Sequence, residues 1–261
     1  MSQALRGPAE LASSVDPGWS RTALTWGIFA GIAFTVATAA FVIEATGLLG
    51  SAPDFIPTTA GPVADEATFQ AANFAHQQTV LWDYVLRDGL YFFAYLALIP
   101  LGLGLREVVG RRHVAPDLAA AFLAIAAVFG AMNAFQTFVM VDYWRNSGWD
   151  QVAPTTMVAI GRDLSLMDGL TRWAGIASYA ALALGLYYVG RACRTSPAVA
   201  SWLGLVSYAG VVILVALAVG SIVPDMDGVV DILSLAIGIL IAPVFSIGLG
   251  ISISRAATAT G

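Results

Sequence analysis

Six stretches of about 20 or more mostly apolar residues, separated by polar segments, leave this chain a lipid bilayer as the solvent in which it can fold. A hydrocarbon core about 30 Å thick takes roughly 20 residues of helix at about 1.5 Å each. Residues 22–46, 88–108, 118–141, 170–190, 200–223 and 231–253 supply six such spans. The chain is 58% hydrophobic and 11% charged, with a mean hydropathy of +0.78, too little polar surface for a domain whose solvent is water. The prediction is an all-α polytopic membrane protein. A cytoplasmic N-terminal segment (1–21) precedes one six-helix transmembrane domain (22–255) with long outer loops near 47–87 and 142–169, and a cytoplasmic tail (256–261) follows. The connections are too short for a separate soluble module.

Arginine placement predicts orientation, because short loops rich in arginine stay cytoplasmic. Arg6, Arg21, Arg106, Arg111, Arg112, Arg191, Arg194 and Arg255 fall on one side of the six spans, and Arg87, Arg145, Arg162 and Arg172 on the other. Both termini are therefore expected inside a plasma membrane, with the acidic residues Asp54, Asp65, Glu66, Asp83, Asp88, Asp142, Asp150, Asp163, Asp168, Asp225, Asp227 and Asp231 outside. Aromatic belts agree: Trp19, Trp26 and Trp202 fall at the inner boundary, and Trp82, Trp144, Trp149 and Trp173 at the outer one. Ala37-Thr38-Ala39 resembles a signal-cleavage site, yet the apolar run continues through Ala40 to Ile43, so the first span is expected to stay uncleaved.

All 12 basic residues are arginine, the net charge is −5, and no basic run of the kind that grips nucleic acid occurs. Cys193 is alone, which excludes an internal disulfide and a thiolate metal cluster. His76 and His113 are predicted on opposite sides, so paired-histidine haem or zinc ligation fails, and no cofactor is expected. Neither a Gly-x-Ser-x-Gly elbow nor a phosphate-cradling loop is present.

Two fragments recur at an offset of 80 residues: Asp88-Gly89-Leu90 with Asp168-Gly169-Leu170, and Val109-Gly110-Arg111 with Val189-Gly190-Arg191. Asp227-Gly228-Val229 is a looser third copy, so three hairpins in parallel repeat are predicted. Helix punctuation accounts for the Asp-Gly pairs, since Asp accepts free N–H groups at a helix start. In the outer loops, Asp65 to Arg87 reads as helical with Phe69, Ala72, His76 and Val80 on one side. Pro154 starts a short helix through Met157, Ile160, Leu164 and Met167. Such helices either lie on the membrane surface, which the pattern slightly favours, or cap the bundle. Gly27 and Gly31 permit a close helix approach, inside the chain or between copies. Pro100 and Pro243 should bend the second and sixth spans.

Polar side chains in or near spans are costly and mark candidate sites. Glu44, Asp88, Asn133, Gln136, Asp168, Arg172 and Asp231 all fall toward the outer ends of their spans and could converge on one vestibule. Asp83 with Arg87, and Asp168 with Arg172, stand four apart and can pair on one helical face. Exposed ion pairs and interhelical hydrogen bonds are the plainer account of these residues; a site for a small polar or cationic ligand is the sharper one.

Arg21-Thr22-Ala23 leading into Trp26-Gly27-Ile28-Phe29-Ala30-Gly31, with Asp88-Gly89-Leu90 heading the second span, is similar to bacterial six-helix integral membrane protein families of unknown function. The resemblance implies fold and compartment and carries no catalytic residue. Six spans with both ends inside also resemble the vitamin-capturing subunits of modular importers, at the level of fold alone. Three classes of function follow: ligand binding or transport through the vestibule, a scaffold that engages a membrane partner or a second copy, and an enzyme acting on lipid or envelope substrate through Glu44, Asp88 or Asp168.

Overall fold

The computed structural model describes residues 18–46, 48, 53–110, 113–146 and 151–259. Its elements are α1 (Gly18–Ala45), α2 (Pro62–Thr79), α3 (Leu81–Leu96), α4 (Leu98–Val109), α5 (Val114–Asn146), α6 (Pro154–Thr195), α7 (Trp202–Gly220), α8 (Asp227–Leu235), a π-helical segment (Ala236–Ile241) and α9 (Ala242–Ala259). No strand occurs among the described residues. Six helical units are long and apolar enough to cross a bilayer: α1, α3 with α4, α5, α6, α7, and α8 through α9.

The six units form a ring. Each packs on its neighbours in sequence, and α9 returns to pack along α1. Small residues make that closure possible: a Cβ on Gly27 would stand 2.6 Å from the Ser246 carbonyl oxygen and 2.9 Å from the Gly250 Cα. A Cβ on Gly31 would stand 2.6 Å from Cγ1 of Ile247. The two α1 glycines are thus taken up by α9 of the same chain. Ser20 Oγ lies 2.9 Å from Ser254 Oγ, so the start of the first span and the end of the last sit side by side. A dry core fills that end of the ring, where Leu101, Leu105, Leu203, Leu249 and Ile253 are fully buried. The outer wall is apolar as well: Ile32, Val128, Leu205, Val212 and Leu240 are exposed, as a surface facing acyl chains requires.

Both proline expectations resolve into specific backbone events. Pro100 cannot donate to the Leu96 carbonyl, and the helix stops at Leu96 and restarts at Leu98. Pro243 cannot donate to Ile239, and the preceding turn widens so that the Ala242 N–H reaches the Ile237 carbonyl instead.

Four expectations need correction. Asp88-Gly89 and Asp168-Gly169 do not punctuate helix starts, because α3 begins at Leu81 and α6 at Pro154, well upstream of them; Asp227-Gly228 does open α8. The helix beginning at Pro154 is not separate from the fourth span: it runs on to Thr195 as one 42-residue rod, about 63 Å long. The two outer-loop helical stretches also do not lie apart on the membrane surface. Ala67 and Phe74 of α2 bury against Met157 and Val158 of α6, and together they roof the mouth of the ring. The buried face of α2 is Asp65, Ala67, Gln70 and Phe74, because it turns toward α6; of the predicted side Phe69, Ala72, His76 and Val80, only Val80, just past the helix end, is buried. Trp149 and the side chain of Trp144 lie outside the described residues.

Candidate functional site

Beneath the α2–α6 roof the ring opens into a cavity of about 770 Å³, complementary in position to the dry core at the other end. Its near wall is a single face of α3. Tyr84, Arg87, Asp88, Tyr91 and Tyr95 recur at helical spacing and line it. Gln70, Asn73 and Gln77 of α2 hang from the roof, with Gly161 and Ser165 of α6 beside them. Asn133 and Gln136 of α5, Arg172 of α6, and Asp231 and Ser234 of α8 complete the far side. Phe34, Tyr95, Tyr179, Leu217 and Ile237 form an apolar and phenolic floor.

Two backbone interruptions lie at this floor. Tyr95 stands just before the break at Ala97, and Ile237 and Gly238 belong to the π-helical segment. The ring of Tyr95 lies flat on the backbone of α5: a Cβ on Gly130 would stand 2.5 Å from Tyr95 Cγ. Phe34 meets Tyr95 edge to face at 5.4 Å, and the hydroxyls of Thr38 and Tyr91 are 2.9 Å apart. Gly238 lets Thr38 approach so closely that a Cβ there would fall 2.8 Å from Thr38 Cβ.

The electrostatic centre is Arg87. Its guanidinium donates to Glu44 of α1 and, from Nε, to Asp88 Oδ1 at 3.0 Å. It also stacks 4.5 Å from the centroid of Tyr84, whose hydroxyl donates to the other Glu44 oxygen. Only 13% of the Arg87 side chain is exposed, so these partners offset the cost of burying its charge. Asp83 Oδ2 and Gln77 Oε1 are buried nearby without a hydrogen-bond partner in the protein. Both atoms are acceptors.

The roof has its own clasp. Asp65 of α2 accepts from the Thr58 backbone N–H at 2.8 Å and from the Thr58 hydroxyl at 2.5 Å, tying the preceding segment to the helix. Those two bonds favour the ionised carboxylate and hold the Asp65 pKa below the usual carboxylate range.

Of the residues singled out from the sequence, Asp88, Asn133, Gln136, Arg172 and Asp231 line this one cavity. Glu44 joins them through Arg87 and Tyr84. The side chain of Asp168, and with it the expected Asp168–Arg172 pair, lies outside the described residues. The expected Asp83–Arg87 pair is replaced, among the described ion pairs, by Arg87 with Glu44 and Asp88, because α1 and α3 bring Glu44 within reach. Arg172 donates to the Ser221 carbonyl at the end of α7.

Sequence reasoning passed over Tyr91, Tyr95 and Tyr179 and the amides of α2. The Tyr84–Arg87–Tyr91–Tyr95 stripe was the signal available for the near wall. Among the described residues no three His, Cys, Asp or Glu side chains converge as metal ligands.

Fold and surface together define a class: a multi-pass integral membrane protein of six helices, with a polar cavity entering one end of the ring. No family model, curated protein or solved structure matches the chain.

Proposed function

We propose that this protein binds a small polar organic ligand carrying a cationic group, taking it from outside the plasma membrane as a receptor or as the capture step of transport. The observation that carries the reading is the composition of the cavity around Arg87. Asp88 and Asp231 line it with Arg87 and Arg172, and Glu44 and Asp83 stand behind Arg87 rather than on the lining, so the carboxylates around the cavity outnumber the arginines and favour a cation. The unpartnered Oε1 of Gln77, a residue of the lining, suits a hydrogen-bond donor. Tyr91, Tyr95 and Tyr179 add ring faces that attract a cation and cover an organic body. A size of about 770 Å³ falls within the range of small-molecule sites.

Binding to a scaffold partner through the α1 glycines has less support, since Gly27 and Gly31 are spent on α9. The arginine distribution supports placing the cavity outside and both chain ends inside.

The test is thermal unfolding in detergent against organic amines, quaternary ammonium ions, divalent cations and neutral polar analogues. A ligand at 100 times its dissociation constant raises stability by about 2.7 kcal/mol. The expected result is a shift with an organic cation that Asp231→Asn and Asn133→Ala each reduce while leaving the unliganded midpoint unchanged. No shift from any cation, or a shift indifferent to both substitutions, overturns the reading.

A further inference from the structure

At the end of the ring opposite the roofed cavity, the exposed surface where α6 meets α7 holds a second feature. Arg191, Arg194, Thr195 and Tyr187 of α6 and Tyr208 of α7 line an open cleft of about 450 Å³. A smaller cleft of about 280 Å³ adjoins it, shares Arg191 and Thr195, and adds His113 and Tyr188. Neither arginine has a carboxylate partner among the described residues, unlike Arg106 at the same end, which bonds Asp117 at 2.5 Å. The 196–201 connection beside them contains no acidic residue.

An arginine at the last turn of a helix is adequately explained by the helix dipole and by membrane topology. Those causes do not require a seat, and here one is built. A Cβ on Gly190 would stand 2.8 Å from Cζ of Tyr208, so the missing side chain lets the phenol lie on the α6 backbone. The Arg194 guanidinium then rests 4.7 Å from the Tyr208 ring centroid, and Tyr187 meets that ring at 6.1 Å. The aromatic contact leaves the guanidinium N–H edge open to an anion.

The surface leading away from the cleft is apolar. Leu184 lies three residues from Tyr187 on α6 and Val212 four from Tyr208 on α7, each on its tyrosine's helical face and farther from the arginine end of the ring. Leu184 and Val212 are exposed. A phosphate at the arginines with hydrocarbon along these residues is the shape of a phospholipid.

We infer that the Arg191–Arg194–Tyr208 cleft binds the phosphate of an anionic phospholipid, with its acyl chains on Leu184 and Val212. The inference is independent of the ligand reading of the outer cavity. A lipid seated here braces α6 against α7 at the end of the ring where the fourth and fifth spans join.

The test uses the full chain in neutral detergent, titrated with phosphatidylglycerol, with phosphatidylcholine of the same chains, and with inorganic phosphate, and followed by native mass spectrometry. Phosphatidylglycerol should bind at least about tenfold more tightly than phosphatidylcholine, and R191Q/R194Q should abolish that preference. Thr195→Glu places a carboxylate in the exposed cleft without touching the core and should do the same, which separates loss of the site from loss of fold. Arg255→Gln, at the same end but outside the cleft, should leave the preference within about twofold. Equal binding of the two lipids, a preference that survives R191Q/R194Q or T195E, or complete displacement of lipid by millimolar inorganic phosphate would overturn the proposal.

Discussion

Arg87 is the residue on which the roofed half of the molecule turns. A guanidinium with 13% of its side chain exposed is accommodated there because Glu44 and Asp88 surround it. Removing the cation strands two carboxylates in a half-buried setting, which costs about 3 kcal/mol or more, whereas removing one carboxylate leaves the cation another. Arg87→Met is therefore expected to lower stability in detergent by that amount, and Glu44→Gln by less than half of it. In the double variant one stranded charge is gone, so its loss should fall below the sum of the single losses; strict additivity would show that the two side chains do not act on each other. The sequence made Glu44 and Asp88 visible as intramembrane acids, and their convergence was an open question of helix rotation. It made Arg87 visible too, but local spacing paired it with Asp83. Glu44 is 43 positions away and only the α1–α3 packing brings it near. The tyrosines were missed because phenols at spans read as interfacial anchors until a cavity places them at its floor.

At the scale of elements, α1 against α9 and the roof are the two contacts that shape the cavity. Gly27 faces backbone atoms of α9, which have no rotamer by which to yield, so Gly27→Val should destabilise by about 1–3 kcal/mol. Gly169 of α6 has nothing within 4 Å of its Cβ position, and Gly169→Ala should be neutral or gain up to about 1 kcal/mol from helix propensity. Equal losses at the two sites would refute the close-approach account.

The roof responds to acid through Asp65. A carboxylate with a depressed folded-state pKa stabilises fully above its unfolded value, near pH 4, and loses that contribution as pH falls through the lower folded value. Protease cleavage in the segment 53–61 should therefore rise below about pH 4 in wild type, and Asp65→Asn should show the raised cleavage at neutral pH. Helix identity was legible here from the run that begins at Asp65 and from Pro154 at its helix start. What the pattern could not give was the face of α2 and the continuity of α6, because both are set by the contact between the two helices rather than by either sequence alone.

For the whole molecule, an even number of spans and the contact between Ser20 and Ser254 require the two ends of the ring's chain to share one side. The direction of the cavity then depends on a single fact, the side on which that shared end lies. Hydropathy made the count of six legible because the bilayer imposes a length on each span, while the ring order and the roofed cavity depend on packing that no span encodes by itself. The arginine excess predicts the shared end inside. Cys193 is a poor probe of this, being buried at 4% exposure in α6. In a Cys193→Ala background, Thr68→Cys reports the roof and Thr258→Cys the last turn of α9, since both threonines are exposed and bond only to their own helices. An impermeant thiol reagent should label Thr68→Cys in intact cells and Thr258→Cys only after permeabilisation. The reverse pattern would turn the carboxylate-rich cavity toward the cytoplasm and make its ligand an internal one.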